Sequence, residues 1–227
     1  MRKLWILLLV LLSSCEPTGE RVPPKYPPKR IVHDAKDLSE SFCRYDLEDA
    51  IVLLDSVLKN YPDDHLAYWT KLNVLIQLGK TDVAMALIDS TIKKEPHLPG
   101  NYFYKGIIYD ECRDNVNAIK SYKRDIMLYD QMLDTLKRES GDYKGVIFNK
   151  AVDQIYSGNE QGNRTLKGMF AIENDKDLKE LISLFVNESR EDLIHRNGKG
   201  SLDILYPINM NPLSGCINAF GHVFPSY

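Results

Sequence analysis

Residues 101–130 read NYFYKGIIYDECRDNVNAIKSYKRDIMLYD, and the fold turns on how this stretch matches the chain before it. Its aromatic and apolar residues recur at three- and four-residue intervals, the spacing that gathers them on one side of an α-helix. The same order is found upstream. Leu66, Tyr68, Trp69, Leu72, Leu75, Ile76 and Leu78 form one apolar face that Gly79 is placed to terminate, and Val83, Ala84, Leu87, Ile88 and Ile92 form a second that runs to Pro96. Farther upstream, Leu47, Ala50, Ile51, Leu54 and Val57 lead to Pro62. Pro62 and Pro96, Tyr68 and Tyr102, Leu75 and Tyr109, Ala50 and Ala84, Ala84 and Ala118, and Ile88 and Tyr122 all share one constant separation, the repeat length of this region. These are successive helix pairs, each needing a neighbour to cover its apolar side.

With Tyr102, Gly106, Tyr109, Ala118 and Tyr122 in that order, the unit from 99 to about 129 resembles the tetratricopeptide repeat, whose length of about 34 residues is the separation found here. The resemblance implies that Gly106 is a small crossing position, that Ala118 lets the two helices approach and that Tyr122 fills the space beside them. Lys105 stands where the pattern has leucine, and Asp130 where it has a closing proline. The unit before it, 65–96, has Tyr68, Leu75, Ala84, Ile88 and Pro96, with Lys71 and Leu72 in place of leucine and glycine. An earlier half-unit has Ala50, Leu54, Val57 and Pro62, with Ala35 to Phe42 as its shortened first helix. The implied fold class is all-α: antiparallel helix-pair repeats (a TPR-like solenoid) over residues 33–140, with C-terminal helices and an irregular extension over 141–227.

Past residue 130 the period fades. Ile126, Met127, Tyr129, Met132, Leu133 and Leu136 prolong the helix begun near Asn115, and Gly141 is placed to break it. Val146, Ile147, Ala151, Val152 and Ile155 restart helical spacing up to Gly158. GNEQGN, residues 158–163, reads as a turn or mobile loop. A further hairpin is expected through Leu166–Phe170 and Leu178–Ile194, its apolar face covering the end of the array. From Asn197 onward glycines and prolines break up short apolar pieces, so coil is expected, with a short strand around Leu202–Tyr206.

The amino terminus reads MRKLWILLLVLLSSCEP. Two basic residues precede the apolar run Leu4–Leu12, and small residues lead into Cys15, the order of a signal peptide. The run is too short to span a bilayer, which takes about 20 residues. LSSC resembles a bacterial lipobox. That resemblance implies cleavage of residues 1–14 and acylation of Cys15, and several acyl chains hold a protein where one holds it marginally. Glu16 after Cys15 favours the outer membrane under the sorting pattern of many diderm bacteria. Prolines 17, 23, 24, 27 and 28 then mark residues 15–32 as the lipidated cysteine and an extended spacer.

Composition narrows the function. The chain has 29 basic and 32 acidic residues, a formal charge of −3, and loss of Arg2 and Lys3 moves it to −5. Such a balance gives no general attraction to nucleic acid. Cys43, Cys112 and Cys216 have no Cys-x-x-Cys spacing; one disulfide with a spare thiol and three separate thiols are both open. The histidines 33, 65, 97, 195 and 222 form no metal-binding motif, Arg196-Asn197-Gly198-Lys199-Gly200-Ser201 lacks the spacing of a phosphate loop, and no Gly-x-Ser-x-Gly elbow is present. No catalytic residue, metal ligand or cofactor site is assigned.

The reading that follows is a lipid-anchored envelope protein that uses a helical-repeat surface for protein interaction or assembly. Its partner is an unidentified envelope protein. Trp69, Phe103 and Lys105 are the candidate contacts, the aromatics as exposed anchors and the lysine facing an anion. The alternative is a peptidoglycan- or carbohydrate-active enzyme with paired carboxylates drawn from Asp177, Glu191 and Asp192 or from other acids.

Overall fold

The structure, a computed structural model, describes residues 28–39, 43–138 and 141–197. Among them are ten helices and no strand: α1 (Pro28–Ser39), α2 (Arg44–Asn60), α3 (His65–Gln77), α4 (Thr81–Lys94), α5 (Asn101–Glu111), α6 (Asn115–Leu133), α7 (Gly141–Tyr156), α8 (Gln161–Ile172), α9 (Lys176–Ser183) and α10 (Arg190–Asn197). The all-α class is therefore observed. No helix of the described residues is long and apolar enough to cross a membrane. The chain forms two compact units that divide between Val74 and Leu75, within α3.

In the first unit α1 packs on α2. Leu47, Ala50, Leu54 and Val57 line the buried side of α2 at the spacing read from the sequence. Helix α1 starts at Pro28, earlier than Ala35 and inside the stretch expected to be spacer. A proline in the first turn is tolerated because its missing N–H has no helical partner there.

In the second unit each helix packs on the next through α4, α5, α6, α7, α8 and α9, and α10 returns to α7. Rings from three of these helices meet in one cluster. Phe103 of α5 lies 5.2 Å from Tyr156 of α7 and 5.7 Å from Tyr122 of α6, and Tyr122 lies 5.3 Å from Tyr156. Burying a ring of this size contributes about 1.5–3 kcal/mol, and edge-to-face geometry adds to it. The close crossing expected at Gly106 is present: a Cβ there would collide with the Tyr122 ring. Phe103 and Tyr104 are buried, whereas Tyr102 and Tyr109 are half-buried.

The helix ends explain why these segments stop where they do. At the end of α3, Gly79 takes φ 68° while Lys80 N–H bonds to the Leu75 carbonyl at 2.8 Å, the left-handed cap that glycine favours. Arg113, one repeat length after Gly79, takes φ 60° at the end of α5, and Asp114 N–H bonds to the Tyr109 carbonyl at 2.8 Å. The next helix, α6, begins with its own cap, Asp114 accepting from Asn117 N–H at 3.1 Å.

Beyond α6 the structure departs from two expectations. Helix α8 already begins at Gln161, so the turn expected over 158–163 is shorter. The single helix expected over 178–194 is two, α9 and α10, separated by a turn in which Asn187 takes φ 73°. Asparagine adopts that region more readily than most side chains. The strand expected at 202–206 and the rest of the tail lie outside the described residues.

Gly106→Ala should force the Tyr122 ring to move and cost about 1–3 kcal/mol. Gly168→Ala, in a helix with open space around it, should be neutral or stabilising. Thermal melts of the two variants check the contrast.

Candidate functional site

Charged residues enter the core of the second unit at two places. At the first, Asp110 near the end of α5 accepts from the Tyr122 hydroxyl at 2.7 Å and from Arg190 Nη2 at 2.5 Å. Arg190 also donates to the Tyr156 carbonyl, and its guanidinium lies 5.7 Å from the Tyr122 ring centroid. One arginine in the first turn of α10 thus binds α5, α6 and α7 together. Burial pushes the Asp110 carboxyl above its usual range, against the opposing Tyr122 hydrogen bond and the Arg190 charge.

At the second, Asp125 of α6 serves the start of α5. Gly100 precedes α5 and has no side chain to cap it. Asp125 instead accepts Gly100 N–H through both oxygens, at 3.0 and 2.9 Å, and bonds the backbone of Tyr102 and Phe103 as well. Asp153 of α7 hydrogen-bonds to the same carboxylate, and both acids are buried. Two carboxylates in contact require a proton between them. Asp125, holding the N–H groups of α5, is the first of the pair to ionise, although burial raises it to about 7. Asp153, raised farther by burial and by the charge of Asp125, holds the proton. The pair is closed to solvent and acts as a brace.

A solvent-accessible feature among the described residues is a cleft of about 520 Å³, within the size range of small-ligand sites. It lies over the α7–α8 turn, between α8 and the 187–191 segment. Ile155 and the buried Arg190 contribute to its lining. Asn163 ties the two sides together, donating to the Glu188 carbonyl at 2.7 Å and accepting Asn187 N–H at 2.8 Å. Arg164 and Lys167 come from α8, and Glu188 and Glu191 from the other side.

The residues singled out by sequence are distributed differently. Trp69 and Phe103 are each 4 % exposed, so neither is presented as an anchor. Trp69 stacks on His65 at 5.7 Å, and Phe103 belongs to the three-ring cluster. Lys105 pairs with an acid of this chain, Asp89 of α4 at 2.5 Å, and lies 5.8 Å from the Tyr109 ring centroid. Of the three acids, Glu191 lines the cleft, Asp192 accepts from Ser189 at the start of α10, and Asp177 sits in the first turn of α9. The structure does not bring them together as a set. Cys15 lies outside the described residues. Cys43 is disulfide-bonded and Cys112 is a free, exposed thiol, so the alternative of three separate thiols is set aside.

Asp110, Asp125, Asp153 and Arg190 were not singled out by sequence. A signal was present for Asp125: Tyr122, Asp125 and Tyr129 share one helical face, so a charge there falls among buried rings. Arg190 gave no local signal, since its partner is 80 residues away. Comparison with family models, with characterised proteins and with solved structures finds no match.

Two outcomes test these networks. Because both acids are raised in the folded state, their contribution is present below the unfolded carboxyl range near pH 4 and falls as pH rises, that of Asp125 being lost through about 7 and that of Asp153 well above its usual range. The melting temperature should therefore fall between pH 5 and pH 8, and Asp153→Asn, which donates at every pH, should flatten that dependence. Arg190→Ala, which leaves Asp110 buried without its cation, should cost about 3–5 kcal/mol. In denaturant titrations the double variant Asp110→Asn with Arg190→Met should lose less.

Proposed function

We propose that the chain is a bacterial lipoprotein whose helix pairs are repeats of the tetratricopeptide kind and serve protein interaction or assembly at the cell envelope. In this reading residues 1–14 are a signal peptide and acylated Cys15 is the anchor. The outer membrane of a diderm cell is the favoured location. The partner is a protein segment, bound without chemistry on either side.

The observation that carries the repeat reading is a recurring ion pair. Asp55 of α2 bonds Lys71 of α3, and Asp89 of α4 bonds Lys105 of α5. From the first pair to the second, both members shift by one repeat length. Lys71 and Lys105 are the two positions at which lysine replaces the leucine of the tetratricopeptide pattern, and the ion pair accounts for both of these replacements at once. Asp130 of α6 and Lys150 of α7 form a third bridge of the same kind. Each joins the second helix of one pair to the first helix of the next, as a register contact between units would. The attachment is supported by the order of charged, apolar and small residues before Cys15.

The lysines also offer the test. They are 17–24 % exposed while their aspartates are about half exposed, so each pair contributes about 0–1 kcal/mol and can be broken without unfolding the chain. Envelope pull-downs with the anchor intact should recover a partner, and Lys71→Ala with Lys105→Ala should reduce that recovery while leaving the melting temperature within a few degrees. Unchanged recovery would reject the lysines as contacts. Cys15→Ser should abolish labelling by radioactive palmitate and release the chain from membranes; retained labelling would reject the anchor.

A further inference from the structure

We propose that the cleft between α8 and the 187–191 segment binds a short peptide with both termini free. This site does not depend on the lipid anchor or on the repeat reading. The argument starts from which charges of the cleft are already committed. Arg190 is held by Asp110 and the Tyr156 carbonyl. Arg164 lies 3.6 Å from Glu160 and donates to Gln161 at 3.1 Å. Lys167 on the α8 side and Glu191 on the opposite side are exposed, line the same cleft and have no partner among the described residues. Opposite charges that share a cleft without pairing leave room for a ligand that carries both signs.

The cleft is also built before any ligand arrives. Asn163 fixes the 187–188 backbone against α8, and Arg190 fixes the start of α10 against α5 and α7. The separation of the two walls is set by these bonds, which lowers the ordering cost of binding. Among the described residues no aromatic lines the cleft, so they offer no ring on which a base or a sugar could stack. Its remaining polar lining includes Asn187 and Asn159, the latter with its Oδ1 already accepting Gln161 N–H, and their amide groups are suited to a peptide backbone. A free carboxylate terminus goes to Lys167 and a free amino terminus to Glu191.

The test is calorimetric titration of the full chain with alanine oligomers of two to four residues, each free, amino-acetylated or carboxy-amidated. At least one free oligomer should bind. Blocking either end should weaken it about tenfold, the loss of one charge-assisted contact. Lys167→Gln should weaken the free peptide similarly and become insensitive to amidation, and Glu191→Gln should become insensitive to acetylation. Both side chains are exposed, so melting temperatures should stay unchanged. Failure of every free oligomer to bind at millimolar concentration, equal binding of the doubly blocked peptide, or binding indifferent to both variants would each overturn the proposal. None of these results bears on the envelope pull-down, so the two readings fail separately.

Discussion

The second unit depends on one buried carboxylate. Asp110 sits at the end of α5, and from there it holds the Tyr122 hydroxyl of α6 and the Arg190 guanidinium of α10. Removing a charge from water is costly unless it is paired and hydrogen-bonded, so this carboxylate is stable in place only when both donors are in position. The requirement is geometric as much as energetic. It selects the packing in which α6 and the distant α10 converge on α5, and it positions the wall of the cleft through the same arginine.

Around this pair the aromatic cluster supplies the apolar contribution. Phe103, Tyr122 and Tyr156 come from α5, α6 and α7, so each helix adds one ring to a shared contact. Gly106 is what lets Tyr122 lie against α5 at all. The acid brace at Asp125 and Asp153 joins the same three helices near the opposite end of α5. Helix α5 is thus fixed at its start by a shared proton and near its end by a buried ion pair, with rings between.

Much of this was legible in residues 44–133, where helix boundaries follow the three- and four-residue spacing and the glycine, proline and aspartate punctuation. Beyond that, the period was lost because its physical basis changed. The step from Asp89 to Asp130 exceeds the repeat length by about two full helical turns. Helix α6 therefore carries Asp130 on nearly the same face while a search at the fixed repeat length misses it. The ring assignments failed for another reason. Tyr102 and Phe103 are adjacent, about 100° apart around the helix axis, and the packing partner that chooses between them, Tyr156, belongs to a later helix. The cleft was invisible because it depends on Asn163 and Arg190 reaching residues far along the chain.

The shared proton makes folding a proton-uptake reaction. Near neutral pH the unfolded chain has both carboxyls ionised, whereas the folded chain keeps one of them neutral, so unfolding delivers a proton to the medium. The heat absorbed on unfolding then includes the heat of buffer protonation, and calorimetry in phosphate and in an amine buffer reads different enthalpies for the same structural change. The solvent is in that sense a stoichiometric reactant in assembling α5, α6 and α7.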